Sequence, residues 1–245
     1  MFCPKCGTQL PDNAVACSSC GTSFAGGAGA RAAAMGAAGD RMKSASTDAL
    51  SAFKTFAADP VGGLSPAYSG LGPARGLAVG ITFGIVFALC IVASFYRILG
   101  SAFFPGVGGF FKILIIAVVP FVALFAATLA VRTVFRGDGQ IGTDSFVAGA
   151  ALLPFGIVAI LMTLIGRSSG GNVMTFLGLF AVSLTILMLF AGITRIYKIS
   201  ERMATIAIPI MLIVTGWLTR VIYTQMIKSS FGGGFDPSGM GGFPQ

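Results

Sequence analysis

Phe135-Arg136-Gly137-Asp138-Gly139-Gln140-Ile141-Gly142-Thr143-Asp144 is followed by Ser145-Phe146-Val147-Ala148-Gly149-Ala150-Ala151-Leu152-Leu153-Pro154, and the apolar run then continues to Ile165. A polar, glycine-rich loop thus turns into a stretch long enough to cross a bilayer, which takes about 20 apolar residues as a helix. Thr143 or Asp144 can cap the first turn of that helix. Asp138 and Asp144 are also candidates for holding a cation or a basic partner.

The same pattern repeats outward from this stretch. Four more apolar runs qualify as spans, at 77–96, 113–131, 174–193 and 203–223, which with 146–165 makes five. Pro120, Pro154 and Pro209 fall inside three of them, where neighbouring helices or hydroxyls can satisfy the freed carbonyls. Glycines such as Gly80, Gly84, Gly149 and Gly192 offer small surfaces for close helix contact. Composition agrees. Of 245 residues, 55% are hydrophobic and only 10% charged, against about 25% charged in a soluble domain, and the mean hydropathy is +0.90.

The net charge of +8 is a matter of placement. Arg75, Arg132, Arg136, Arg195, Lys198 and Arg202 fall at the entry to the first span and in the 2–3 and 4–5 loops, on the side of the N-terminus. Arg97, Lys112, Arg167, Arg220 and Lys228 fall on the other side. The positive-inside rule then predicts a cytoplasmic N-terminus and an outer C-terminus. Positive charge facing anionic lipid makes nucleic-acid binding unnecessary to explain the excess.

The N-terminus is of another kind. Cys3-Pro4-Lys5-Cys6-Gly7 and Cys17-Ser18-Ser19-Cys20-Gly21 present two thiolate pairs within residues 1–24. Two such knuckles make a tetrahedral four-cysteine site, the usual geometry of structural zinc. A glycine after each pair permits a positive backbone angle there. About 25 residues cannot build an apolar core, so the metal must supply the folding energy. Iron on the same four ligands is the alternative. No secretory signal precedes Cys3, so a reducing cytoplasm is expected, where paired cysteines favour metal over disulfide. Four thiolates leave no open position for water, which argues against catalytic zinc. With only Lys5 basic, the head is a poor phosphate binder. It resembles the short zinc ribbons at the N-termini of many bacterial membrane proteins.

Between head and spans, 25–39 is Gly/Ala-rich and reads as a flexible linker. Residues 40–59 carry Met42, Ala45, Ala49, Phe53 and Phe56 at helical spacing, a short amphipathic helix ended by Asp59-Pro60. That helix either lies on the inner membrane surface or packs against the spans. Residues 60–75 read as an irregular entry, and 229–245 as a disordered Gly/Phe-rich tail.

The loop-and-span stretch quoted first, together with five spans and a cytoplasmic N-terminal region, resembles the Yip family of Rab-associated (Ypt-interacting) membrane proteins over residues 53–223. The resemblance implies a five-helix membrane domain at 60–228 and a role in membrane traffic or organisation. Where the family carries Asp-Leu-Tyr-Gly-Pro, this chain has Tyr68-Ser69-Gly70-Leu71-Gly72-Pro73. A Rab partner is therefore not implied, and a ribbon on such a body points to a bacterial cytoplasmic membrane.

The expected fold is an all-α integral membrane protein of five transmembrane helices, preceded by a small β-rich zinc ribbon and a short amphipathic helix. The expected function is a membrane scaffold or adaptor whose zinc ribbon, closed by Cys3, Cys6, Cys17 and Cys20, docks a cytoplasmic protein. A transporter or channel for a neutral solute is the alternative, because no acidic or basic group lies at mid-membrane to couple ions. An enzyme is not expected. The chain contains no histidine and no acid pair inside a span, and Cys90 sits in an apolar run as a small hydrophobe.

Overall fold

The computed structural model describes residues 2–3, 6–9, 28–99, 106–165 and 170–231. The chain divides into two compact units, Met1–Thr47 and Asp48–Gln245. Among the described residues six helices follow in order: α1 Ala28–Ala58, α2 Leu64–Leu99, α3 Gly106–Val134, α4 Ile141–Ile165, α5 Gly170–Ala191 and α6 Glu201–Phe231, with a π-helical turn Gly192–Ile196 closing α5. Five of them, α2 to α6, are long and apolar enough to cross a membrane.

Helix α4 is the centre of the membrane unit. Every residue from Gly142 to Pro154 is buried, as expected of a helix that is apolar all round and wrapped by others. Its closest neighbour is α2, and glycines set that approach. A Cβ on Gly142 would strike the Pro73 carbonyl, one on Gly80 the Ser145 backbone, and one on Gly149 the Gly80 carbonyl oxygen. Backbones that touch gain dispersion contacts in a medium where burial of apolar surface supplies no drive. Gly84 makes room for the Phe121 ring of α3, and Gly192 for Val147. The interior is completed by Phe83, Leu124, Phe146, Leu189, Ile208 and Met211. Outward faces stay apolar, with Phe176, Ile213 and Trp217 each at least 65% exposed, as a lipid-facing surface requires.

Two boundaries differ from the sequence expectation. A single helix from Ala28 to Ala58 runs through residues 28–39 of the expected flexible linker at 25–39 and on into the separate helix expected at 40–59; residues 25–27 lie outside the described residues. Alanine, the strongest helix former, outweighs the interspersed glycines. The expected irregular entry at 60–75 is also largely helical. It forms the first turns of α2, Leu64–Leu71, interrupted at Gly72 (φ 71°, ψ 173°) before the helix restarts at Pro73. Proline is accommodated where a helix begins, since the missing N–H has no partner there, and the positive φ falls on the residue that tolerates it.

Within the membrane unit, the end of α1 and the start of α2 form a hairpin. Its turn is tied by Asp59, whose Oδ1 accepts from Gly62 N at 2.8 Å and whose carbonyl accepts from Gly63 N at 2.9 Å. Ala49, Ala52 and Phe56 are buried at three- and four-residue spacing. The Phe56 ring meets Phe83 of α2 edge-on at 5.5 Å. Of the two placements open for this amphipathic segment, the part from Asp48 onward packs against the spans.

Candidate functional site

Two places carry chemistry: the cysteine head and a polar cluster at one end of the helix bundle.

In the head, the described residues are Phe2, Cys3 and Cys6–Gln9. Cys3 is buried at 2% exposure and Cys6 is exposed. The turn between them is set by Gly7 N donating to Cys3 O at 2.8 Å and Cys3 N donating to Thr8 O at 3.0 Å. Gly7 takes φ 72°, the left-handed conformation that the glycine after the second cysteine was expected to supply. Phe2 and Gln9 form an antiparallel bridge, which is the β character found among the described residues; no strand is present there. Thr8 Oγ1 lies 3.3 Å from Cys6 Sγ, where it can donate to a thiolate and steady it, as outer-shell groups do for metal ligands. Cys17 and Cys20 lie outside the described residues. A turn of this form and a donor set of four thiolates suit a tetrahedral metal.

The polar cluster lies where α3 ends and α4 begins. Asp144, on the first turn of α4, is fully buried and accepts from Arg132 Nε at 2.9 and 3.0 Å and Nη2 at 2.9 Å. Arg132 also reaches Gly139 O at 3.3 Å. Such a forked pair on a buried carboxylate fixes geometry as well as charge. Thr143 closes the helix start: its hydroxyl accepts from Gln140 N at 3.0 Å and meets Tyr68 Oη at 2.6 Å. Ser145 donates to Leu77 O at 3.3 Å. The first turn of α4 is therefore pinned to α2 and α3 by three successive polar side chains.

A second loop completes the cluster. The π-helical turn ends on Tyr197, which is buried at 0% exposure, and Tyr197 O accepts from Asp138 N at 2.9 Å. Lys198 Nζ pairs with Asp138 at 3.0 Å, both exposed. Arg136 and Lys198 each adopt positive φ, at 52° and 54°, as the residues that end α3 and the π turn. At Arg136 the pattern is a Schellman cap, with Gly137 N donating to Arg132 O at 2.8 Å. The Tyr197 hydroxyl faces Asp144 and Thr128 but makes no hydrogen bond of good geometry. Burial, and then the Asp144 carboxylate, push this phenol well above the ordinary tyrosine range, so it stays neutral.

The sequence reading singled out Asp144 as a cap or as a ligand for a cation or basic partner. The structure gives it a basic partner from its own chain. Arg132, three residues from the end of α3, was assigned only to a loop. The signal was present: two antiparallel helices joined by a short loop place a residue near the end of one beside a residue near the start of the next. Asp138 pairs with Lys198 of the same chain. Cys90 lies in α2 away from this cluster.

Residues 2–24 match the zinc-ribbon domain family. The head is a zinc ribbon. No curated protein and no solved structure matches the chain. The match covers the ribbon alone; the chain joins this zinc-ribbon domain to a body with, among the described residues, five membrane-length helices.

Proposed function

We propose that this protein is a non-enzymatic membrane scaffold or adaptor, its zinc ribbon docking a cytoplasmic protein and its five helices holding that dock in the bilayer. Cys3, Cys6, Cys17 and Cys20 close the zinc site in this reading. The observation that carries it is the pairing of a zinc-ribbon domain with a membrane body whose buried charge pair, Arg132–Asp144, is satisfied internally. A charged group left over for coupled transport would instead stand unpaired.

Orientation follows the basic residues. The bundle end that bears the Arg132–Asp144 cluster also bears Arg75, Arg136, Arg195, Lys198 and Arg202, all exposed. By the positive-inside rule this end faces the cytoplasm, with the N-terminus on the same side. The glycine-packed five-helix body supports a Yip-like reading and a place in membrane organisation, in the cytoplasmic membrane of a bacterium. The ribbon's own small basic content keeps nucleic acid out of the proposal.

Proximity labelling from an enzyme fused to the N-terminus tests the docking role. A reproducible set of cytoplasmic proteins is expected, lost when the four cysteines become serine while the protein still reaches the membrane. An unchanged set in that variant, or saturable solute flux through the protein in vesicles, would sink the adaptor reading.

A further inference from the structure

The hairpin made by the end of α1 and the start of α2 does more than cover the spans; it ends part-way along a groove between α4 and α5. Asp48 stands 3.9 Å from Arg75 at the polar end of the bundle, and Phe56 has reached the level of Phe83, which in turn lies 6.2 Å from Phe146. The hairpin turn therefore sits within the thickness of the spans and not at their end. Beyond it lies a cavity of about 230 Å³, walled by Phe53, Phe56 and Pro60 on the hairpin side and by Pro154, Val158 and Leu184 of α4 and α5 among others.

Three properties decide what fills this space. No charged or hydroxyl-bearing side chain lines it, and apolar cavities of this kind do not hold water. Its α4 wall runs on from Pro154 to Leu161, about 10 Å further from the Arg132 end at about 1.5 Å per residue. It thus occupies the depth of hydrocarbon tails. The hairpin blocks it from the Arg132 side, which leaves access from the opposite half of the bilayer.

We propose that this cavity binds one phospholipid acyl chain from the leaflet opposite the Arg132–Asp144 end, with the chain terminus against Phe56 and Pro60. The hairpin then acts as a stop that fixes how deep the chain penetrates. A lipid held this way ties the segment leading to the ribbon to the state of the far leaflet.

The test uses the full chain in phosphatidylcholine vesicles doped with phosphatidylcholine carrying a photoreactive diazirine, either at the end of one acyl chain or near its ester. Cross-links are mapped by peptide mass spectrometry. The terminal probe is expected to label around Pro154 and Met188, and the ester-proximal probe around Leu161 and Leu177. Val158→Phe fills the cavity and should lower this labelling to the level found at Ile213 and Trp217. Labelling of Ile213 and Trp217 on the outer face of α6 should not change. If Val158→Phe fails to fold, Ala57→Phe fills the same space from the exposed side of the hairpin. Labelling no stronger than at Ile213 and Trp217 overturns the proposal, as does labelling that both variants leave intact. The reverse order of the two probes, or cross-links to a second copy or another segment of this chain, overturns it equally.

Discussion

The ribbon and the membrane body solve the same problem, holding a backbone in place, with opposite means. The ribbon has almost nothing to bury. Its turn at Cys3–Thr8 is shaped by two backbone hydrogen bonds and a glycine in the left-handed region, and in the proposed reading its order comes from a metal. The body buries continuously from Gly142 to Pro154 and holds its polar end with side-chain and backbone hydrogen bonds. A four-cysteine zinc site would concentrate the stability of the first in four sulfurs, so that any one loss is expected to unfold it. In the second it is spread over glycine contacts, an ion pair and interhelical hydroxyls, so single changes should be graded.

That contrast is sharpest where the effect is largest. Purified wild-type chain should carry a single zinc, and Cys17→Ser should abolish it, removing a binding free energy of about 10–16 kcal/mol that doubles as folding energy. Elemental analysis that finds zinc retained by Cys17→Ser would break the comparison. In the body, Asp144→Asn strands most of the Arg132 charge. It should destabilise by about 3 kcal/mol in detergent unfolding experiments, because a buried partner is left unpaired.

Smaller effects probe the glycine contacts. Gly142→Ala places a methyl against the Pro73 carbonyl and should cost about 1–3 kcal/mol. Gly178→Ala meets nothing within 4 Å and should stabilise by about 0.5–1 kcal/mol through backbone entropy. Equal responses at the two positions would show that α2 and α4 are not in backbone contact. Thr185, which donates to Ala151 O at 2.7 Å across the α4–α5 interface, should lose about 0.6 kcal/mol as valine. Least affected should be Tyr197→Phe, within about 0.5 kcal/mol, since its hydroxyl has no well-formed partner to lose. A loss of several times that would reveal a firm hydrogen bond to Asp144.

How much of this was readable beforehand follows the same division. The five spans are visible as apolar runs because bilayer thickness imposes an unbroken apolar stretch of about 20 residues. The two cysteine pairs are visible because thiolate chemistry needs few residues at fixed spacing. The Arg132–Asp144 pair was hidden by boundary placement. Ending one span at Val131 and starting the next at Phe146 left both charges in a loop, whereas the helices run on to Val134 and begin at Ile141. Helix ends are where periodicity carries least information. The hairpin was hidden for another reason. Pro60, Gly62, Gly63, Gly70, Gly72 and Pro73 mark breaks, but not whether the chain between them folds back on the spans. That depends on partners such as Phe83 and Thr143, which are distant in sequence.

In the proposed reading a metal folds the ribbon while packing folds the body, each without the other. Hydrogen exchange on the full-length chain in detergent, before and after a strong zinc chelator, tests it most directly. The account predicts that amides within residues 2–24 lose all protection on chelation while those of α2 to α6 exchange as before. Persistent protection in the ribbon without metal, or loss of protection in the spans along with it, would contradict that claim.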